Sequence, residues 1–225
     1  MLDRPTITGA DPDAVLNRFE SLQQTFNDYL VLTKPPILVL LVLTAIGGLF
    51  VAAGGVPPLV VTLLVCLGGA LGAGGANALN HYLDQDIDSK MSRTVKRPIP
   101  GNRVSPRKAL AFGILLNVAA FLILSVGVNL LASSLTLSAT LFYVFVYTMW
   151  LKRTTPQNIV IGGAAGSIPP MVGWVAITGS LDLPALYMFS IVFFWTPPHF
   201  SALALMIQHD YAAVSYTHLT LPTKA

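Results

Sequence analysis

Six stretches of the chain carry no charged side chain and are dominated by apolar residues: 36–53, 59–80, 109–129, 133–151, 158–178 and 183–207. Each is long enough, at about 1.5 Å per helical residue, to cross a hydrocarbon core of about 30 Å. Runs such as Ile37-Leu38-Val39-Leu40-Leu41-Val42-Leu43 do not alternate, which excludes barrel strands. The pattern predicts an all-α, polytopic transmembrane bundle. Two of the stretches contain proline pairs, Pro169-Pro170 and Pro197-Pro198, and both are expected to be broken helices bordering an internal cavity.

Composition agrees with this pattern. Of the 225 residues, 54% are hydrophobic and 10% charged, against about 25% charged in soluble domains. The single cysteine, Cys66, lies mid-span among Val65 and Leu67 and reads as a packing residue.

The 13 basic residues are distributed unevenly. Lys90, Arg93, Lys96, Arg97, Arg103, Arg107 and Lys108 crowd the 81–108 connection. Arg4, Arg18 and Lys34 precede the first span, Lys152 and Arg153 follow the fourth, and Lys224 is in the tail. Six spans put all of these on one side, which the positive-inside rule makes cytoplasmic. Both termini are then expected inside, with no cleavable signal and the first span serving for insertion. Basic residues spread over juxtamembrane loops suit the lipid bilayer and give no case for nucleic acid.

Nine of the ten acids share that side, and three of them, Asp84, Asp86 and Asp88, cluster at one helix end. Asn80, Asp84 and Asp88 are spaced i, i+4, i+8, and so project from one helical face over about two turns. Asp86 points elsewhere. Oxygen ligands so placed repel one another unless a cation intervenes, and hard divalent ions take such ligands together with phosphates. The triplet therefore reads as a metal-bridged diphosphate site, with a solvated acidic helix end as the other reading. Arg93 and Arg97 follow in a loop stiffened by Pro98 and Pro100, and guanidinium forks match phosphate oxygens. Lys152 and Arg153 either close the same cavity or anchor the topology. His199, deep in the last span, either satisfies a backbone carbonyl or contacts substrate.

These residues carry a family resemblance. The segment from Asn80 through Asp84 and Asp88, followed by Arg93-Thr94 and Arg97-Pro98, resembles the first aspartate-rich motif of the UbiA superfamily of intramembrane prenyltransferases. Three stretches resemble its protoheme IX farnesyltransferase branch. They are Leu32-Thr33-Lys34-Pro35, the run from Thr155 to Gly166 with Pro169-Pro170 and Gly173-Trp174, and the run from Trp195 to Phe200 with Ala202-Leu203-Ala204-Leu205. The resemblance covers roughly residues 26–213.

It implies Mg²⁺ as cofactor and transfer of a farnesyl group from farnesyl diphosphate to a vinyl group of haem b, with water added, giving haem O. It further implies metal ligation by Asn80, Asp84 and Asp88, with diphosphate neutralisation by Arg93, Arg97, Lys152 and Arg153. His199 and Asp210 are expected at the substrate. A bacterial inner membrane and a haem A synthase or terminal-oxidase assembly partner come from the same source. Against about nine spans in the family, six are counted. The expected division is a cytoplasmic segment 1–35, a partial bundle 36–207 and a tail 208–225, Thr-rich after Asp210-Tyr211-Ala212-Ala213 and expected to be a non-native end of a truncated frame. A superfamily member prenylating an aromatic or quinone precursor shares the aspartate motif. A transporter with broken helices shares the proline interruptions, without polar residues at the midplane or a visible repeat.

Overall fold

The computed structural model describes residues 12–155 and 157–206, with side chains from 20 to 199 apart from Pro156. Among these the chain is helical and contains no strand. Helices α2 (Pro35–Ala53), α3 (Leu59–Leu83) and α5 (Pro106–Gly127) are long and apolar enough to cross a membrane. So is the continuous run 130–154, which comprises α6 (Leu130–Leu141), a π-helical stretch Phe142–Leu151 and α7 (Lys152–Thr154). The fifth such span is 158–178. The sixth apolar stretch forms α10, Leu183–Met206.

Local chemistry sets the helix ends. Pro35 occupies the first turn of α2, where its missing N–H costs nothing, and Gly54 closes that helix with φ 62°. Asn129 caps α6 by accepting from the amide of Ala132 at 2.8 Å, and its own amide donates to Val175 O at 2.9 Å. The side chain that starts one helix thus ties it to another. The fifth span breaks at Ser167–Ile168 into α8 (Asn158–Gly166) and α9 (Pro169–Thr178), as the Pro169-Pro170 pair predicts.

Two expectations need correcting. Pro197 and Pro198 do not break their helix: α10 runs through both. Each ring removes one backbone donor, to Phe193 O and Phe194 O, but prolines are tolerated within spans where neighbouring groups compensate. The segment before the first span, for which the hydrophobic pattern predicts no element, forms α1, Pro12–Thr33. Its last turns are held by burial of Leu32 and by Asp28, which accepts from Arg103 Nε at 2.8 Å.

Glycine permits close helix approach. A Cβ at Gly48 or Gly173 would overlap the backbone of Pro170 or Ala45, so α2 and α9 pack main chain to main chain. Gly75 and Gly113 do the same for α3 and α5. One buried cluster (Ala45, Leu49, Val65, Leu124, Ala132, Val172, Val175) fills one half of the bundle. A second (Leu32, Ala78, Ile99, Val104, Ala109) seals the charged end beneath the 89–105 loop. Leu43, Val60, Leu115, Phe145 and Phe194 stay exposed around the outside, as side chains facing lipid must. The chain is a multi-pass membrane protein.

Candidate active site

The charged end of α3 builds the site. The helix gives way at Asp84 (φ −92°, ψ 6°) to the short α4, Gln85–Asp88. The i−4 bonds nevertheless continue, Asp84 N to Asn80 O at 2.9 Å and Asp88 N to Asp84 O at 2.8 Å. The predicted common face therefore survives the bend. Asn80, Asp84 and Asp88 are each at most 3% exposed, and all three line one cavity of about 860 Å³.

Buried carboxylates require partners, and here side-chain cations provide them. Lys152 Nζ lies 2.5 Å from Asp84 Oδ2. Arg97 Nη1 donates to both oxygens of Asp88, at 2.8 and 2.7 Å. Lys34 Nζ donates to Asn80 Oδ1 at 2.8 Å, and Asn80 Nδ2 donates to Asp84 Oδ2 at 2.7 Å and to Thr148 Oγ1 at 3.1 Å. Four separate segments meet in this network. Lys34 precedes α2 in the left-handed region (φ 56°), at a corner where Thr33 O accepts from Asn77 Nδ2 at 2.9 Å. Burial, with the Arg97 and Lys152 charges nearby, lowers the Lys34 ammonium from 10.5 to about 7, against the opposing pull of Asp84 and Asp88.

The proline-stiffened loop after α4 packs over the charged end. Thr94 Oγ1 donates to Asp88 O at 2.8 Å, and Met91, Pro98, Ile99 and Val104 are buried beneath it. Arg93 lines the cavity. Arg153 does not. Its guanidinium donates to both oxygens of Asp86 at 2.9 Å and to Leu83 O at 3.0 Å, and this pairing holds the Asp86 carboxyl below its ordinary range. Of the two basic residues on that connection, Lys152 joins the site and Arg153 braces its outer side. His199 lies on the cavity wall, its ring stacked on Trp195 at 4.3 Å. It stands sixteen residues into α10, in the half nearer the charged end rather than at mid-depth. Asp210 and the tail lie outside the described residues.

Several site residues are invisible to the aspartate pattern. Lys34 reads as a topology charge. Thr148 is a lone hydroxyl in an aromatic span, carried by the π-helical stretch Phe142–Leu151, where its Oγ1 donates to Tyr143 O at 2.8 Å. Tyr143 and Tyr147 stack at 5.3 Å on the cavity wall. His81 is fully buried with no hydrogen-bond partner for either nitrogen, and its Nδ1 stands 3.7 Å from Asp88 Oδ2. Polar side chains inside or at the end of an apolar span are the signal that would have marked Thr148, the two tyrosines and His81, though not Lys34, which precedes its span.

The donor set fits a divalent cation. Two carboxylates and an amide oxygen share the cavity's polar end, and Asp84 Oδ1 is buried with no hydrogen-bond partner. Away from this end the wall is apolar, with Leu41, Ala73, Gly69 and Val172 among its residues.

A pocket that is polar at one end and apolar along its length fits an amphiphile with an anionic head. The sequence profile of the UbiA prenyltransferase family matches residues 41–224. The chain belongs to the UbiA prenyltransferase family. Among curated relatives, the protoheme IX farnesyltransferase of Symbiobacterium thermophilum is 54% identical over 188 residues, covering 84% of this chain and 63% of the relative. The Thermus thermophilus protein of that name is 56% identical over 190 residues, 84% of this chain and 31% of the relative. The chain thus spans from about a third to less than two thirds of these relatives' lengths. Solved structures share the fold at low identity. A digeranylgeranylglyceryl phosphate synthase superposes with a TM-score of 0.73 at 18% identity, covering 90% of this chain and 70% of that one. A UbiA homologue from Archaeoglobus fulgidus, bound to DMAPP and Mg²⁺, gives 0.62 at 19%, covering 86% and 67%.

Proposed function

We propose that the chain forms the donor site of an intramembrane prenyltransferase that moves a farnesyl group from farnesyl diphosphate to a vinyl group of haem b, after which water adds to the cation left on the other vinyl carbon and loses a proton, yielding haem O and diphosphate. One observation carries the donor half of this reading: two buried acids and the half-buried bases paired with them converge at the polar end of an otherwise apolar cavity. The haem half rests on the similarity to the protoheme IX farnesyltransferases over most of the chain.

The chemistry follows from the residues. Breaking the bond between the first prenyl carbon and the bridging oxygen leaves negative charge on diphosphate and positive charge on the allyl group. Lys34, Arg97 and Lys152 are ready donors to that leaving group, once substrate phosphate oxygens take the place of the carboxylates they now contact. Arg93 joins them from the cap. Asn80, Asp84 and Asp88 would hold Mg²⁺, which when bound supplies a Lewis acid at the diphosphate oxygens. The stacked faces of Tyr143 and Tyr147 suit an adjacent carbocation, and the buried loop keeps water away until the vinyl carbon attacks. The charged end of the bundle then faces the cytoplasm from a bacterial inner membrane, and the product would feed haem A synthase or terminal-oxidase assembly.

Membranes containing the chain, given labelled farnesyl diphosphate and either haem b or 4-hydroxybenzoate, test the assignment. Label is expected in a haem product. Label appearing only in the aromatic acid would move the chain to another branch of the family.

A further inference from the structure

The glycines of α3 fall into two kinds. A Cβ at Gly68 would come within 2.5 Å of Leu124, and one at Gly72 within 2.8 Å of Thr136. These two are small because neighbouring elements need the space. Gly69 differs: it lines the cavity, and a Cβ there would meet nothing within 4 Å. Glycine weakens a helix interior relative to alanine, and no packing contact accounts for it at this position. The open volume beside it is part of the cavity.

Depth along α3 gives this volume a use. Gly69 lies eleven residues from Asn80, about 16 Å along the helix axis, whereas Ala73 lies about 10 Å away. Beyond Gly69 the α3 lining extends only to Val65, which with Ala45 and Val172, also on the cavity wall, belongs to the buried cluster of that half of the bundle. An extended prenyl chain of three isoprene units, about twelve main-chain carbons joined by bonds of about 1.5 Å, spans about 15 Å. A chain of two units spans about 10 Å and stops near Ala73.

Resting on the proposed diphosphate site, we infer that Gly69 is a specificity-determining residue: the bare helix surface there receives the third isoprene unit of the donor and sets the chain length accepted. The head is fixed by the Asn80–Asp84–Asp88 end, so chain length alone decides whether the tail reaches Gly69. A side chain at 69 takes the place of the third unit and leaves the space used by the first two.

The test uses the 225-residue chain in detergent with Mg²⁺, reading the binding of geranyl and farnesyl diphosphate by calorimetry. Gly69→Leu is expected to weaken farnesyl diphosphate at least tenfold while changing geranyl diphosphate less than twofold, and Gly69→Ala should give a smaller shift in the same sense. Unliganded melting temperatures at or above that of the unsubstituted chain show that the variants fold. If folded Gly69→Leu and Gly69→Ala treat the two donors alike, the inference fails and the diphosphate site stands. If Gly69→Leu does not fold, Gly69→Ala alone decides by the same comparison. If neither donor binds the unsubstituted chain, the diphosphate site fails and this inference with it.

Discussion

At the scale of single residues, the site is a set of buried charges that satisfy one another. Asp88 is 4% exposed and Arg97 22%, and one guanidinium nitrogen serves both carboxylate oxygens. Removing one member of such a pair strands the other. Arg97→Met is expected to destabilise the chain by about 3 kcal/mol or more, and a second change, Asp88→Asn, to recover much of that loss. Thermal unfolding of the two single variants and the double variant measures the coupling; additive effects would show that the pair contributes nothing. Gly69 gives a contrasting expectation. Because its Cβ would enter open space, Gly69→Ala should stabilise α3 by about 0.5–1 kcal/mol. Gly68→Ala, which meets Leu124, should destabilise by about 1–3 kcal/mol. The same melting curves separate them.

At the scale of elements, the spans were legible because an uncharged run of about 20 residues has few other uses. The break before Pro169 was legible for a similar reason, since the fixed ring leaves a helix few ways to continue. The continuity of α10 through Pro197-Pro198 was not, because it depends on tertiary surroundings that supply what the backbone loses. Helix α1 escaped the hydrophobic pattern because its anchors are long-range: Asp28 to Arg103, and Leu32 into a cluster with Ile99 and Val104. The aspartate face was readable from spacing alone, whereas Lys34 and Thr148 enter through the left-handed corner at residue 34 and the π-helical turn, neither of which spacing reveals. Close contact between α2 and α9 makes a further prediction. Gly173→Val, which must displace the Ala45 backbone, should cost more than about 2 kcal/mol and lower the yield of folded protein. A variant that melts like the unsubstituted chain would show that the two helices do not pack main chain to main chain.

At the scale of the whole molecule, the bundle separates two environments. An apolar cluster closes one half, and a proline-stiffened loop caps the charged end of the other. Between them lies an apolar cavity whose polar groups are concentrated at one end. That asymmetry suits an amphiphile whose head is charged and whose tail is hydrocarbon, and it explains why two buried acids, Asp84 and Asp88, meet three half-buried bases, Lys34, Arg97 and Lys152, at the edge of a membrane protein. The most direct measurement is calorimetric titration of the chain with farnesyl diphosphate, with and without Mg²⁺, for the unsubstituted protein and Asp84→Asn. The account predicts Mg²⁺-dependent binding that weakens by at least about 2.7 kcal/mol, a hundredfold, in the variant. Equal affinity in the two proteins, or binding indifferent to Mg²⁺, would contradict it.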